Sequence, residues 1–248
     1  MERDTEVVRK MVDRLAESSS EILGQKADDG PIKKIVPTVI KKGIDNINLS
    51  MFSDEMRIRL LIAVGDEYIK RGDFVNAIKS FTLGGNRQKL ADVGRIYEKD
   101  GLYGDAINAF KLAANNEELI RIGEKCLKDG HTSEAIKAFK VVEDKNKLIT
   151  VGDDCLAKHR YDFAIEVFST FDDKTKLIEA GKLCMTENQL AYAAKAFELA
   201  EDKVMLSQLG DVCLKEGLMG TAMRLYELAD NDMMVTFLKE NFPDQQKG

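Results

Sequence analysis

Proline is nearly missing from this chain: three residues, Pro31, Pro37 and Pro243, in 248. All three lie outside the stretch 51–230, which is therefore free to form unbroken helices, since a proline in a helix interior costs about 3 kcal/mol. Tryptophan is absent, and histidine is limited to His131 and His159. No CxxC pair accompanies them, so no close-spaced tetrahedral metal motif exists, and neither metal nor cofactor is expected. Apolar runs are no longer than five residues, as in Leu60–Val64, too short to span a membrane. Basic residues are not in excess: 37 Lys+Arg face 43 Asp+Glu, a net charge of −6. That balance argues against a polyanion as main ligand, so no DNA partner is expected. The phosphate-loop, HExxH and GxSxG patterns are all missing, and Cys155 near His159 is read as a repeat coincidence, so a catalytic role is not expected.

What is present is a period. Glycine recurs at every twenty-ninth position: Gly65, Gly94, Gly123, Gly152, Gly181 and Gly210. Twelve residues after each stands an alanine (Ala77, Ala106, Ala135, Ala164, Ala193, Ala222), and sixteen after each an aromatic (Phe81, Phe110, Phe139, Phe168, Phe197, Tyr226). Leucine precedes each glycine by four, from Leu61 to Leu206. Four kinds of position in register six times, without insertion, mark a repeat architecture. Taken as 57–85, 86–114, 115–143, 144–172, 173–201 and 202–230, the chain holds six units, with an N-terminal extension over 1–56 and a C-terminal cap over 231–248.

Each unit reads as two helices. Asn86, Asn115, Asp144, Asp173 and Asp202 open the units from the second onward, and Asn231 continues the series. A side-chain oxygen there can accept from first-turn amides, so these are N-caps of a helix A. Fifteen residues on, Gly72, Gly101, Gly130, His159, Asn188 and Gly217 end it, glycine and Asn being the usual left-handed terminators and His159 the departure. Helix B follows with apolar residues at i, i+3, i+4 and i+7, as in Phe74, Ala77, Ile78 and Phe81. A glycine inside a helix costs about 0.5–1 kcal/mol against alanine. Its recurrence predicts that glycine on helix A and alanine on helix B let the two backbones approach, with the aromatic filling the layer beneath.

The ends read differently. From Glu2 to Leu23, Val8, Met11, Val12 and Leu15 form one helical stripe. Gly24 to Pro31 reads as a loop, and Pro37 predicts a kinked helix or two brief turns over Ile32 to Ile40. Lys33, Lys34, Lys41 and Lys42 flank that segment, as a solvated rim or as a contact for an anionic surface or partner. Met233, Met234, Phe237, Leu238 and Phe242 form an apolar stripe before Pro243, the pattern of a cap helix. Cys126, Cys155, Cys184 and Cys213 repeat at the same interval as the glycines. Equivalent points on stacked helices lie about 8–10 Å apart, beyond the roughly 7 Å a disulfide tolerates. They are expected as free thiols, and with the charged start MERDTEVVRK they fit a cytoplasmic location.

These residues carry a family pattern. Leu119, Ile122–Gly123, a tyrosine-type site at Cys126 (Tyr68 and Tyr97 in the first two units), Ala135, Phe139 and a small residue at Gly84, Ala113, Ala200 or Ala229 resemble the tetratricopeptide repeat. That repeat has about 34 residues and usually a proline after helix B. Here five residues and the proline are missing, and Val142 and Phe171 replace the small residue. The shorter hairpins are similar to those in the α-solenoid arms of vesicle-coat and intraflagellar-transport proteins. The resemblance implies an all-α, right-handed α-solenoid, and a protein-interaction scaffold or adaptor whose A helices line a concave groove for a peptide or helix.

By that analogy the groove shows Asp66, Arg95, Glu124, Asp153, Lys182 and Asp211, one after each glycine, with Lys70, Lys99, Lys128 and Lys215 near the helix ends. Between them stand Ile62, Ile120, Ile149 and Ile178, and Leu127, Leu156, Met185 and Leu214. Either these aliphatics are open to a partner, or the tighter stacking of a short repeat buries them as core. Two other classes remain: an RNA-binding helical repeat, which the acidic balance disfavours, and a regulatory subunit of an unidentified enzyme. Self-association is also left open by the sequence.

Overall fold

The computed structural model of the chain describes Ala16, Glu17 and residues 30–242. The N-terminal stripe at Val8, Met11, Val12 and Leu15, and the tail from Pro243, lie outside the described residues. Among those described the regular structure is helical: fourteen α-helices and two short 3-10 turns, Ile44–Asn46 and Leu49–Met51. The chain divides into two compact units, Met1–Val142 and Glu143–Gly248.

In the first unit α1 spans Gly30–Lys42, α2 Asp54–Lys70, α3 Phe74–Leu83, α4 Arg87–Lys99, α5 Tyr103–Leu112, α6 Asn116–Lys128 and α7 Thr132–Val142. Three hairpins pack as α2 on α3, α4 on α5 and α6 on α7, each B helix then meeting the next A helix within the unit, while α1 covers α2. In the second unit α8 spans Lys145–Ala157, α9 Tyr161–Thr170, α10 Lys174–Thr186, α11 Leu190–Ala200, α12 Lys203–Lys215, α13 Met219–Leu228 and α14 Asp232–Asn241. The same hairpins recur there, and α14 packs on α13. This sequential neighbour-on-neighbour packing is that of an α-solenoid of helical repeats.

The helix starts follow from the Asx series. Asn86, Asn115, Asp144, Asp173, Asp202 and Asn231 each accept from the backbone N–H three residues on, at 2.9 to 3.2 Å, and Ser53 does so for α2 at 3.3 Å. These bonds satisfy amides that the first turn leaves without helical acceptors. Helix A ends on a left-handed residue in every repeat, including His159 at φ 56° and Asn188 at φ 57°. Helix B also ends this way, which the sequence does not announce: after Gly85 the left-handed position is taken by Ala114, Glu143, Asp172, Glu201 and Asp230, at φ 50–59°.

The glycine series has a more specific cause than backbone approach. A Cβ added to Gly123 would lie 2.7 Å from the Phe139 ring, and one on Gly94 2.6 Å from Phe110. The ring sixteen residues on therefore packs against the bare backbone of its own hairpin. It is the ring, more than the alanine, that needs the missing side chain. All six aromatics are buried, as are the six alanines, so every hairpin repeats the same close contact.

The N-terminal end sharpens two expectations. Of the loop expected over Gly24 to Pro31 only Gly30 and Pro31 are described, and both belong to α1; of the two alternatives at Pro37, a helix or two brief turns, the structure has one helix running through it. Pro37 is exposed and its flanks hold the helix down, because Ile32, Val36 and Val39 are buried. The four cysteines are buried free thiols, as their spacing requires.

Candidate functional site

The A helices turn the residue after each glycine outward. Asp66 on α2 takes an ion pair from Lys89 Nζ at 2.7 Å, and Arg95 on α4 reaches both Asp92 and Glu118, each at 2.8 Å. Glu118 and Glu98 accept from Arg121, and Lys125 adds a bond to Glu98 at 3.1 Å. The Arg121 and Lys125 donors beside it outweigh burial and hold the Glu98 carboxyl down at about 2. In the second unit Asp153 pairs with Lys176 at 3.0 Å, and Lys176 also meets Glu179 at 3.1 Å. Asp211 accepts from the hydroxyl of the sixth aromatic, Tyr226, at 2.7 Å. Glu124, Lys182, Lys99 and Lys128 are exposed.

A rule links these pairs. Asp66 and Lys89, Arg95 and Glu118, and Asp153 and Lys176 each stand twenty-three positions apart, the step from one A helix to the first turn of the next. The alternating signs after the glycines are thus matched, position by position, by opposite signs one repeat later. The sequence carries that second row, and its partnership with the first emerges only from the stacking. The series stops at the C-terminal end, where the same step from Lys182 and Asp211 leads to Met205 and Met234.

The aliphatics beside the charges are mostly covered. Leu156 and Ile62 are buried, whereas Ile120, Ile149, Ile178, Leu127, Met185 and Leu214 are half-buried. The A-helix face is accordingly a charged surface with apolar edges. Only near the C-terminal end does an A helix show a fully outward aliphatic: Val204, 66% exposed, stands where earlier repeats have Gln88, Glu117, Asn146 and Thr175. It borders a cleft of about 410 Å³ between α12 and the start of α14, walled also by Gln208 and Asn231.

A second polar cluster sits at the turn between α8 and α9. His159 Nδ1 lies 2.8 Å from Glu187 and 2.7 Å from the Tyr161 hydroxyl, which itself donates to Glu187. These bonds tie one hairpin to the next. Among the described residues no three His, Cys, Asp or Glu side chains converge as for a metal ion, and no helix is long and apolar enough to cross a membrane.

No protein-family model matches the chain, and no curated protein matches it. Among solved structures, one described as a circular tandem repeat protein with novel repeat topology and enhanced subunit contact surfaces is 14% identical, with a TM-score of 0.14. The alignment covers 98% of this chain and 51% of that one, so the chain spans about half of its length.

Proposed function

We propose that this chain is a non-enzymatic protein-binding scaffold, with a tetratricopeptide-like array whose A-helix face takes a helix or an extended peptide. The observation that supports it is a division of labour along the repeat. Glycine, alanine, aromatic and Asx cap are held constant by packing, while the outward A row runs Asp, Arg, Glu, Asp, Lys, Asp. A surface that varies on a rigid, repeated frame is how helical arrays present distinct contacts along one partner. Half-buried Ile120, Leu127 and Ile149 supply apolar edges beside those charges.

The test is a quantitative pull-down with three A-face reversals, Lys99→Glu, Lys128→Glu and Lys182→Glu, against Lys137→Glu and Lys195→Glu on exposed B-helix positions. Capture lost in the first set and kept in the second supports the proposal. No protein above background, equal capture by both sets, or tight RNA binding at physiological salt overturns it.

A further inference from the structure

The two ends of the array carry unlike surfaces, and neither is explained by the repeat. At one end α1 buries Ile32, Val36 and Val39 and leaves Lys33, Lys34, Lys41 and Lys42 exposed. None of the four lysines makes an ion pair with another described residue. Beside them a cleft of about 380 Å³ opens between α1 and α2, walled by Val36, Pro37, Ala63 and the stem of Lys33. The acids that line it are already engaged, Asp66 by Lys89 and Glu67 by Lys70 and Arg71. What the cleft offers outward is apolar wall and positive charge.

At the other end α14 stands in register with a seventh helix A, since Asn231 caps it as the earlier Asx residues cap theirs. It is not a working copy: Lys239 occupies the glycine position, so no ring can pack there. Its outward face is apolar where the second to fifth repeats are polar. Met233 is 76% exposed, the most exposed large hydrophobic among the described residues, and Phe237 one turn on is 45% exposed. Asp232 and Glu240 flank them, exposed and in no ion pair with a described residue. One end is thus a basic socket and the other an acidic-rimmed apolar knob.

We propose that α14 of one molecule docks on α1 and α2 of a second copy, with Met233 entering the cleft beside Pro37 and Asp232 and Glu240 facing the lysines of α1. The charge complementarity names the occupant: the chain carries both halves of the contact. Because the two surfaces differ, the contact is heterologous and propagates head to tail, as a ring if its rotation closes and as an open filament if it does not. The inference uses the ends of the array: of the A-helix face it involves only the first repeat, where Asp66 and Lys70 line the cleft, and it leaves the A helices of the second to sixth repeats free.

Light scattering and sedimentation of the full chain over a range of concentrations test it. The average mass is expected to rise with concentration, and association to weaken about tenfold between dilute buffer and about 0.5 M salt. Met233→Glu is expected to weaken it by tenfold or more, because it removes a central anchor. The double reversals Lys33→Glu with Lys34→Glu, and Asp232→Lys with Glu240→Lys, should each abolish association, and their combination on one chain should restore it. Circular dichroism of each variant separates loss of contact from loss of fold. A monomer at every concentration, association unchanged by these variants, or failure of the combined reversal to restore it overturns the proposal.

Discussion

Residues 1–142 and 143–248 hold three hairpins each, and the hairpins are built alike, yet their outer faces are held differently. In the first unit Asp66, Lys89, Asp92, Arg95, Glu98, Glu118, Arg121 and Lys125 lace α2, α4 and α6 together. In the second, Asp153 and Lys176 make one such link between A helices; then methionine takes the partner's place. The lesson is that the charge lacing is added to a frame that stands without it. Hairpin geometry is set inside, by a ring on a glycine, so the outer face is free to change.

The largest expected effect should be blind to the difference between the units. Gly123→Leu in the first and Gly181→Leu in the second must both push a side chain into a packed ring, costing about 3 kcal/mol or more each. Thermal unfolding followed by circular dichroism checks this; a midpoint at the wild-type value for either would break the equivalence of the hairpins.

Next in size, Glu98→Gln should cost about 1 kcal/mol at neutral pH, because it leaves Lys125 without its anionic acceptor and Arg121 with Glu118 alone. The Glu98 carboxyl sits at about 2 in the folded chain, below the roughly 4.3 of an unfolded glutamate. Its stabilisation is therefore full above the unfolded value and disappears as pH falls through the folded one. Denaturant midpoints of wild type and variant should converge on approaching pH 2.

A change of opposite sign is expected from Ala114→Gly. Alanine at φ 50° bears the left-handed penalty, and glycine relieves it, for a gain of about 0.5–1 kcal/mol. Smallest of all, Lys176→Met in the second unit removes a partly exposed pair and should cost only about 0.5 kcal/mol. If urea midpoints show it costing as much as Glu98→Gln, the lacing matters equally in both units and the contrast fails.

Much of this is legible in the sequence. Helix starts follow from the Asx series, helix A ends from Gly72 and its equivalents, and the buried layer from Phe81 through Tyr226, because each is a one-residue signal with a local cause. The ends of the B helices are not legible: Ala114, Glu143 and Glu201 are ordinary helix formers, forced left-handed by the short connection to the next A helix. At Pro37 the sequence leaves open a helix or two brief turns, and the choice falls to the helix because packing of Ile32, Val36 and Val39 outweighs the lost backbone bond. For the candidate site, the charged row is visible but its bridges are not, since partners so far apart along the chain become apparent only once the stacking distance is known.

The four cysteines extend the usefulness of the period. Each is buried, and burial raises all four thiols, Cys126 and Cys184 to about 11, so none reacts while its repeat stays closed. Thiol labelling then becomes a clock for local opening, with one reporter in each repeat from the third to the sixth. Labelling rates read one cysteine at a time would show whether the array frays from its end or opens as a block.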